Sequence, residues 1–439
     1  MKAALCAVLA ISAVEAANWP QWRGPHGTGV SSETGLPVEW STDQNIAWKA
    51  TLPGLGVSGP VVWGDRIFLT YQVGASALRG GNHPSFIQGG GAAAAGELPL
   101  GGARPSSVDD RIVFVVAAFD VADGKLVWEH KVAAEAELPE VHEKRNLATP
   151  SPVTDGERVY AWFSNGQLIV LDVAGKPVWS RHLGKEYKPF DLAWGHSSSP
   201  VIYKDKLLLL SYQSSSAQFL ALDKRSGKEI WKSQQEKASQ SYSTPLVIET
   251  ATGPEAIVNS SERVEAFDPE SGKSLWQYNL THRFAVPMPV FHNGMIYLNR
   301  GYRSSPILAI RPGGRGDITN SHVAWSVGAG APYVSSLIHH DGLLFYVTEQ
   351  GIATCIDAKS GERVWQDRVG GVYSASPIAA DGKLYLFGEN GEAIVLKPGR
   401  KPQVLARNKL DGRIIGSPAV SGGRIFVRTD RQLIAIQAK

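Results

Sequence analysis

At 439 residues the chain has room for two or three ordinary domains or for one large repeat array. Its 43% hydrophobic and 19% charged residues are those of a globular protein; a net charge of +3 without blocks of like charge argues against a nucleic-acid field or a polyelectrolyte tail. Gly (46) and Pro (26) are abundant, which suits many short strands joined by many turns, and thirteen Trp stand at regular positions.

The chain opens on a leader pattern. Lys2 supplies a basic start, Ala3–Val14 a short apolar run, and Val14, Glu15 and Ala16 a small-residue processing site before Ala17. We therefore expect a cleaved signal peptide over 1–16, a single domain over 17–439, and a periplasmic or secreted product. No later stretch approaches the roughly 18 apolar residues of a bilayer span, so no membrane span is expected. Bulky Leu5 before Cys6 argues against lipidation. With the leader gone Cys355 is the one remaining thiol, set in the apolar stretch Ile352–Ile356, which predicts a buried small hydrophobe and no internal disulfide.

From residue 45 onward one unit recurs. The segment Asn45–Lys49 carries Trp48 and reads as a strand without its own unit. Unit starts follow at Gly59-Pro60-Val61, Ser151-Pro152-Val153, Ser199-Pro200-Val201, Thr244-Pro245-Leu246, Met288-Pro289-Val290, Ser336-Leu337-Ile338, Ser376-Pro377-Ile378 and Ser417-Pro418-Ala419. Proline opens an inner strand, where its missing N–H is tolerated. Pairs such as Asp155-Gly156 and Asp381-Gly382 supply the positive-φ residues of tight hairpins. Asp223 to Gly227 and Asp357 to Gly361 read as outer turns, with the Asp capping and the Gly left-handed. A Trp closes most units, at Trp128, Trp179, Trp231, Trp276, Trp325 and Trp365, spaced 51, 52, 45, 49 and 40 residues apart, which fits four strands per unit. Trp on the outermost strand is expected to fill the wedge between neighbours.

In the first unit, 72–110 interrupts the grammar with a Gly/Ala-rich stretch, read as a flexible flap over the funnel face, with a disordered surface loop as the alternative. The last unit stops after three strands. The strand around Trp48 supplies the fourth, which closes a ring and removes both exposed sheet edges. The expected fold is all-β: an eight-bladed β-propeller of four-stranded antiparallel blades closed by an N-terminal strand. Seven blades is the rival count, because the unit over 284–330 is the least regular.

Units ending Ala221-Leu222-Asp223, Gly227-Lys228 and Trp231 resemble the tryptophan-docking repeats of the quinoprotein (PQQ-type) propeller superfamily. The opening Trp19-Pro20-Gln21-Trp22-Arg23-Gly24-Pro25, with 310–317 and 373–377, is similar to exported bacterial PQQ-binding-like repeat proteins. The resemblance spans nearly the whole chain after the leader and implies the fold. For activity it implies two classes, since the superfamily holds alcohol or sugar dehydrogenases and also scaffolds such as the BamB-type subunit of outer-membrane protein assembly.

Ligands of propellers sit where loops converge in one funnel. Residues just before the inner strands nominate Asn146, Trp194, His196, Tyr242, Arg283, Tyr333, Tyr373 and Arg413, and the matching loop of the fifth unit adds Arg300, Tyr302 and Arg303. Arginines with aromatics hold anionic, planar ligands; the bland alternative is that the rings wedge loops together. A quinone dehydrogenase of this superfamily needs a carboxylate base and a metal held by carboxylate and amide oxygens. Here Asp120, Asp172, Asp223, Asp268 and Asp357 share one turn slot and read as structural; no vicinal cysteines or metal-ligand spacing appear. The expectation is a non-catalytic exported scaffold with no cofactor and no metal, binding a protein or peptide in cell-envelope assembly. PQQ-dependent oxidation, or a carbohydrate or other small molecule in the funnel, are the alternatives.

Overall fold

The computed structural model describes residues 17–74, 112–136, 138–139, 141, 144–235, 239–302, 306–328 and 330–438. The leader expected over 1–16 lies outside them, as does nearly all of the expected insertion. Its boundary shifts: Gln72 and Val73 are still strand, paired with Phe114 and Val113.

Eight antiparallel four-stranded blades follow in chain order, one of them extended by a short fifth strand paired in parallel. Their inner strands are Val61–Trp63 (blade 1), Val153–Thr154 (blade 2), Val201–Tyr203 (blade 3), Leu246–Thr250 (blade 4), Val290–His292 (blade 5), Ile338–His340 (blade 6), Ile378–Ala380 (blade 7) and Ala419–Ser421 (blade 8). Blade 8 takes its outer strand from Ile46–Thr51, paired with Gln432–Gln437 so that Trp48 faces Ala435. The ring is closed as the sequence predicts, and 284–330 forms a full fifth blade.

Strand periodicity builds the core. In blade 3, Leu207 and Leu209 pack toward blade 2 while Leu208 and Leu210 pack toward blade 4. Both faces of a middle strand are thus buried, which is why these strands read as unbroken apolar runs. Outer strands alternate instead: in Glu229–Gln234 Trp231 is buried and its neighbours are largely exposed.

Each closing Trp lies opposite a small or β-branched residue, for example Trp128 on Ala118 and Trp231 on Ala221, with a bulge beside it. Its indole N–H donates to the outer turn of the next blade: Trp48 to Val121 O (3.0 Å), Trp128 to Val173 O (3.0 Å), Trp365 to Gly399 O (2.9 Å). The turn glycine meets the ring. At Gly227 φ is +72° and a Cβ would lie 2.7 Å from Trp179. Two departures follow from this docking. Blade 7 has Ala406 where the Trp would be, because blade 8's third and fourth strands come from opposite chain ends and offer no turn to dock on. Trp276 donates instead to Glu255 Oε2 (2.8 Å), because blade 5's turn is enlarged and its Gly316–Asp317 pairs in parallel with blade 4's outer strand.

The hydroxyls of the Ser-Pro starts form an axial relay. The N–H of Gly59 donates to Ser151 Oγ (2.8 Å), Ser151 to Ser199 Oγ (3.0 Å) and Ser199 to Thr244 Oγ1 (3.0 Å). Met288 then donates to Ser336 Oγ (3.0 Å), Ser336 to Ser376 Oγ (3.0 Å) and Ser376 to Ser417 Oγ (2.9 Å). It is interrupted where the acceptor would be Met288 or Gly59, which carry no hydroxyl. A side chain at 59 would press on Ser417 O, only 2.8 Å from the Cβ position.

Residues 17–44 cross the hairpin face of the ring. Trp19 exchanges backbone bonds with Val62 (2.8 and 2.9 Å), Thr154 N–H donates to Pro20 O (2.9 Å), and Arg23 donates to Leu337 O of blade 6 (2.7 Å). The segment then pairs with Ala379 of blade 7 and reaches Asn408 on that blade's outer strand. No helix among the described residues is long and apolar enough to cross a membrane.

Candidate functional site

The outer-to-inner and second-to-third connections open opposite the hairpins and surround a cavity of about 140 Å³ on the ring axis. Its lower wall is the hydroxyl relay (Ser151, Ser199, Thr244, Ser376 and Ser417), and Trp22 of the crossing segment lines it too. The funnel is therefore blind. The motif 19–25, which carries the resemblance, acts as its plug.

Four nominated residues come together in an aromatic wall, linked by Phe284. Ring centroids run from Trp194 to Phe284 (6.1 Å), Tyr242 to Phe284 (6.2 Å), Phe284 to Tyr302 (5.3 Å) and Tyr302 to Tyr333 (5.1 Å), all edge-on. Phe284 is held at φ +55°, unusual for a bulky side chain, and a Cβ on Gly301 would fall 2.2 Å from its carbonyl. The loops are tied by Ser197 Oγ to Tyr242 O (2.9 Å) and Tyr242 N–H to Ala285 O (2.9 Å).

The other nominated residues sit elsewhere. Arg300 is fully buried behind the wall, donating to Asn259 Oδ1, Ser260 O (2.7 Å) and Leu280 O, and burial lowers its pKa to about 10. It joins blades 4 and 5 and does not face the funnel. His196 is buried against Trp162 and Phe190, with Nδ1 at 3.2 Å from Gln213 Nε2, and burial pushes its pKa down to about 3. Asn146 is buried and caps its own turn at Ala148 N–H (2.9 Å). Tyr373 is buried between blades 6 and 7. Arg283 is exposed on the rim, and Arg303 lies outside the described residues.

Of the charged groups in and beside the cavity, Arg413 was nominated from sequence and the others were missed. Lys144 and Arg145 come from the loop into blade 2, Glu349 and Glu389 from the second-to-third connections of blades 6 and 7. Lys144 Nζ and Arg413 both pair with Glu389 (2.8 and 2.9 Å), whose carboxyl these cations, with Ser374, hold below its ordinary value against the opposing effect of burial. Glu349 Oε1 accepts from Tyr333 N–H (2.8 Å) and Val334 N–H (2.7 Å); its Oε2 is buried without a hydrogen-bond partner, and burial raises the carboxyl to about 7. The Arg145 guanidinium lies 5.3 Å from the Tyr242 ring centroid, and its pKa is lowered by burial. A signal for the two glutamates existed: they occupy the same register, Thr348-Glu349-Gln350-Gly351 and Gly388-Glu389-Asn390-Gly391, in connections that open on the funnel. Phe284 had no such signal.

Among the described residues no three His, Cys, Asp or Glu side chains converge as metal ligands. A metal-assisted quinone does not fit this donor set: Glu389 is committed to two cations, and one oxygen of Glu349 is committed to backbone.

The family model described as outer membrane protein assembly factor BamB matches residues 113–367, 260–401 and 350–439. A tetrathionate hydrolase of Acidithiobacillus ferrooxidans is 23% identical over 78% of this chain, which spans 64% of that protein's length. Outer membrane protein assembly factor BamB of Burkholderia pseudomallei is 34% identical over 26% of the chain and 30% of its own length. Among solved structures, BamB from Moraxella catarrhalis superposes with a TM-score of 0.55 at 16% identity, covering 76% of this chain and 93% of that one. Quinohemoprotein alcohol dehydrogenase ADHIIG from Pseudomonas putida HK5 gives 0.60 at 12% identity over 96% and 81%. At these identities the structures speak for the fold alone.

Proposed function

Since the chain belongs to the family of the outer membrane protein assembly factor BamB, we propose that it is an exported, non-catalytic propeller that binds a protein or peptide partner on its funnel face, in cell-envelope assembly. The leader pattern from Lys2 to Ala16 supports export. The observation that carries the binding role is the aromatic wall of Trp194, Tyr242, Phe284, Tyr302 and Tyr333 on one open face. Tyr, Trp and Arg dominate binding hot spots because they bury much area with few rotamers and keep a polar handle.

The test compares two faces. Trp194→Ala combined with Tyr333→Ala is expected to lower partner recovery from envelope extract by at least about tenfold, while Asn293→Ala on the hairpin face leaves it unchanged. Equal recovery from all three proteins overturns the reading. The rival enzymatic readings have direct assays: dye-linked alcohol or sugar oxidation with added PQQ and calcium, and consumption of tetrathionate. The proposal expects both to be silent, and turnover that Arg145→Gln removes would replace it.

A further inference from the structure

Resting on the funnel face as the binding face, we propose that the blind cavity beneath the aromatic wall is a carboxylate site, where Arg145 grips the anion and the unpartnered oxygen of Glu349 hydrogen-bonds it.

Lys144, which lines the cavity, and Arg413 both pair with Glu389, whose single carboxylate offsets one of their two charges. Arg145 does not: among the described residues it has no carboxylate partner, only Gly195 O at 3.5 Å and the Tyr242 face. A cation drawn out of water without compensation costs several kcal/mol, which an entering anion recovers. Positive charge in excess calls for an anion, and a planar guanidinium matches a carboxylate through two parallel bonds.

Glu349 adds a group that the fold does not require. It is 3% exposed, lines the cavity, and has one oxygen without a partner. Its structural task, accepting two backbone N–H groups of the loop entering its own blade, is done in blade 3 by an amide: Gln213 Oε1 accepts from Asp191 N–H (3.1 Å) and Leu192 N–H (3.3 Å). A carboxyl at 349 therefore exceeds what the fold requires. In its neutral form it has a proton to donate, and a carboxylate beside it accepts that proton in a charge-assisted bond.

The shape of the cavity limits what can enter. Trp22 and the hydroxyl relay close the cavity below, so it takes a terminal group rather than a passing chain. The ionisable groups sharing it with Glu349 are Lys144, held by Glu389, and Arg145, Tyr242 and Tyr333. Because burial lifts the Glu349 carboxyl to about 7, the donor form prevails below that pH and a repelling anion replaces it above.

Calorimetric titration of the full chain tests this with benzoate against benzamide, and with one hexapeptide carrying a free or an amidated C-terminus. At pH 6 a free carboxylate is expected to bind at least about tenfold tighter than its amide, and Arg145→Gln to remove the difference. Wild-type affinity should fall about tenfold from pH 6 to 8, and Glu349→Gln should bind with a flat profile. Preference for benzoate identifies a free small acid as the source, preference for the peptide a partner's terminus. Amides binding as well as acids, indifference to Arg145→Gln, or no binding of any probe overturns the proposal. If carboxylates fail while partner recovery still needs Trp194 and Tyr333, the cavity assignment falls and the partner-binding reading survives; if carboxylates bind and recovery ignores the wall, the reverse holds.

Discussion

The hairpin face and the funnel face are made from the same eight units by opposite means. On the hairpin and outer side most blades repeat one solution: Trp on the next blade's turn, glycine beneath the ring, Asp capping its own turn. On the funnel side the loops diverge, so Phe284, Arg145 and Glu349 occur where the repeat does not demand them. Repetition here builds the scaffold, and departure from it marks the surface that does something.

If that division is right, scaffold substitutions cost stability and spare binding, and funnel substitutions do the reverse. The largest effect is expected at the closure: Trp48→Ala should lower unfolding stability by about 3–5 kcal/mol in denaturant titration, because a buried Trp and its bond to Val121 go together. Next comes pH. The Glu349 carboxyl is raised from 4.5 to about 7 on folding, so the folded state keeps a proton that the unfolded state releases. Its contribution to stability is fully present below about pH 4.5 and falls by about 3 kcal/mol as pH rises through 7. Glu349→Gln should remove this share of the slope and leave that of Glu265, which burial also raises to about 7.

Gly227→Ala should cost about 2 kcal/mol, from left-handed strain and the Trp179 contact. A change of the same size at Gly342, whose Cβ position is open, would show that strain alone explains it. Ser199→Ala should cost about 1–2 kcal/mol by leaving the Ser151 N–H without its acceptor. No loss of stability is expected at Arg145→Gln, which removes a cation whose burial is uncompensated and gives up only the Gly195 O and Tyr242 contacts.

Blade count, closure by the Trp48 strand and the turn slots of Asp223 and Asp357 were legible because each is a local rule repeated many times. The serine of the Ser-Pro starts was visible but its relay was not, since each hydroxyl serves the neighbouring blade. Position before an inner strand names the loop a residue occupies, not the direction of its side chain. That is why Trp194, Tyr242 and Tyr333 reach the cavity while Asn146, His196 and Tyr373 turn inward to satisfy turns and fill wedges. Arg300 turned inward for a different reason, since carbonyls freed at the irregular boundary of blades 4 and 5 needed a donor. Glu349 and Glu389 escaped because a Glu in a short polar connection between two strands has the pattern of a solvated loop residue.

The most direct measurement places a photo-crosslinking amino acid at Arg283 on the funnel rim and, separately, at exposed Asn293 on the hairpin face, and compares adducts formed in envelope extract. The account predicts a discrete partner adduct from position 283 that Trp194→Ala/Tyr333→Ala removes, and none from position 293. Adducts from 293 alone, or adducts from 283 that persist without the wall, would contradict it.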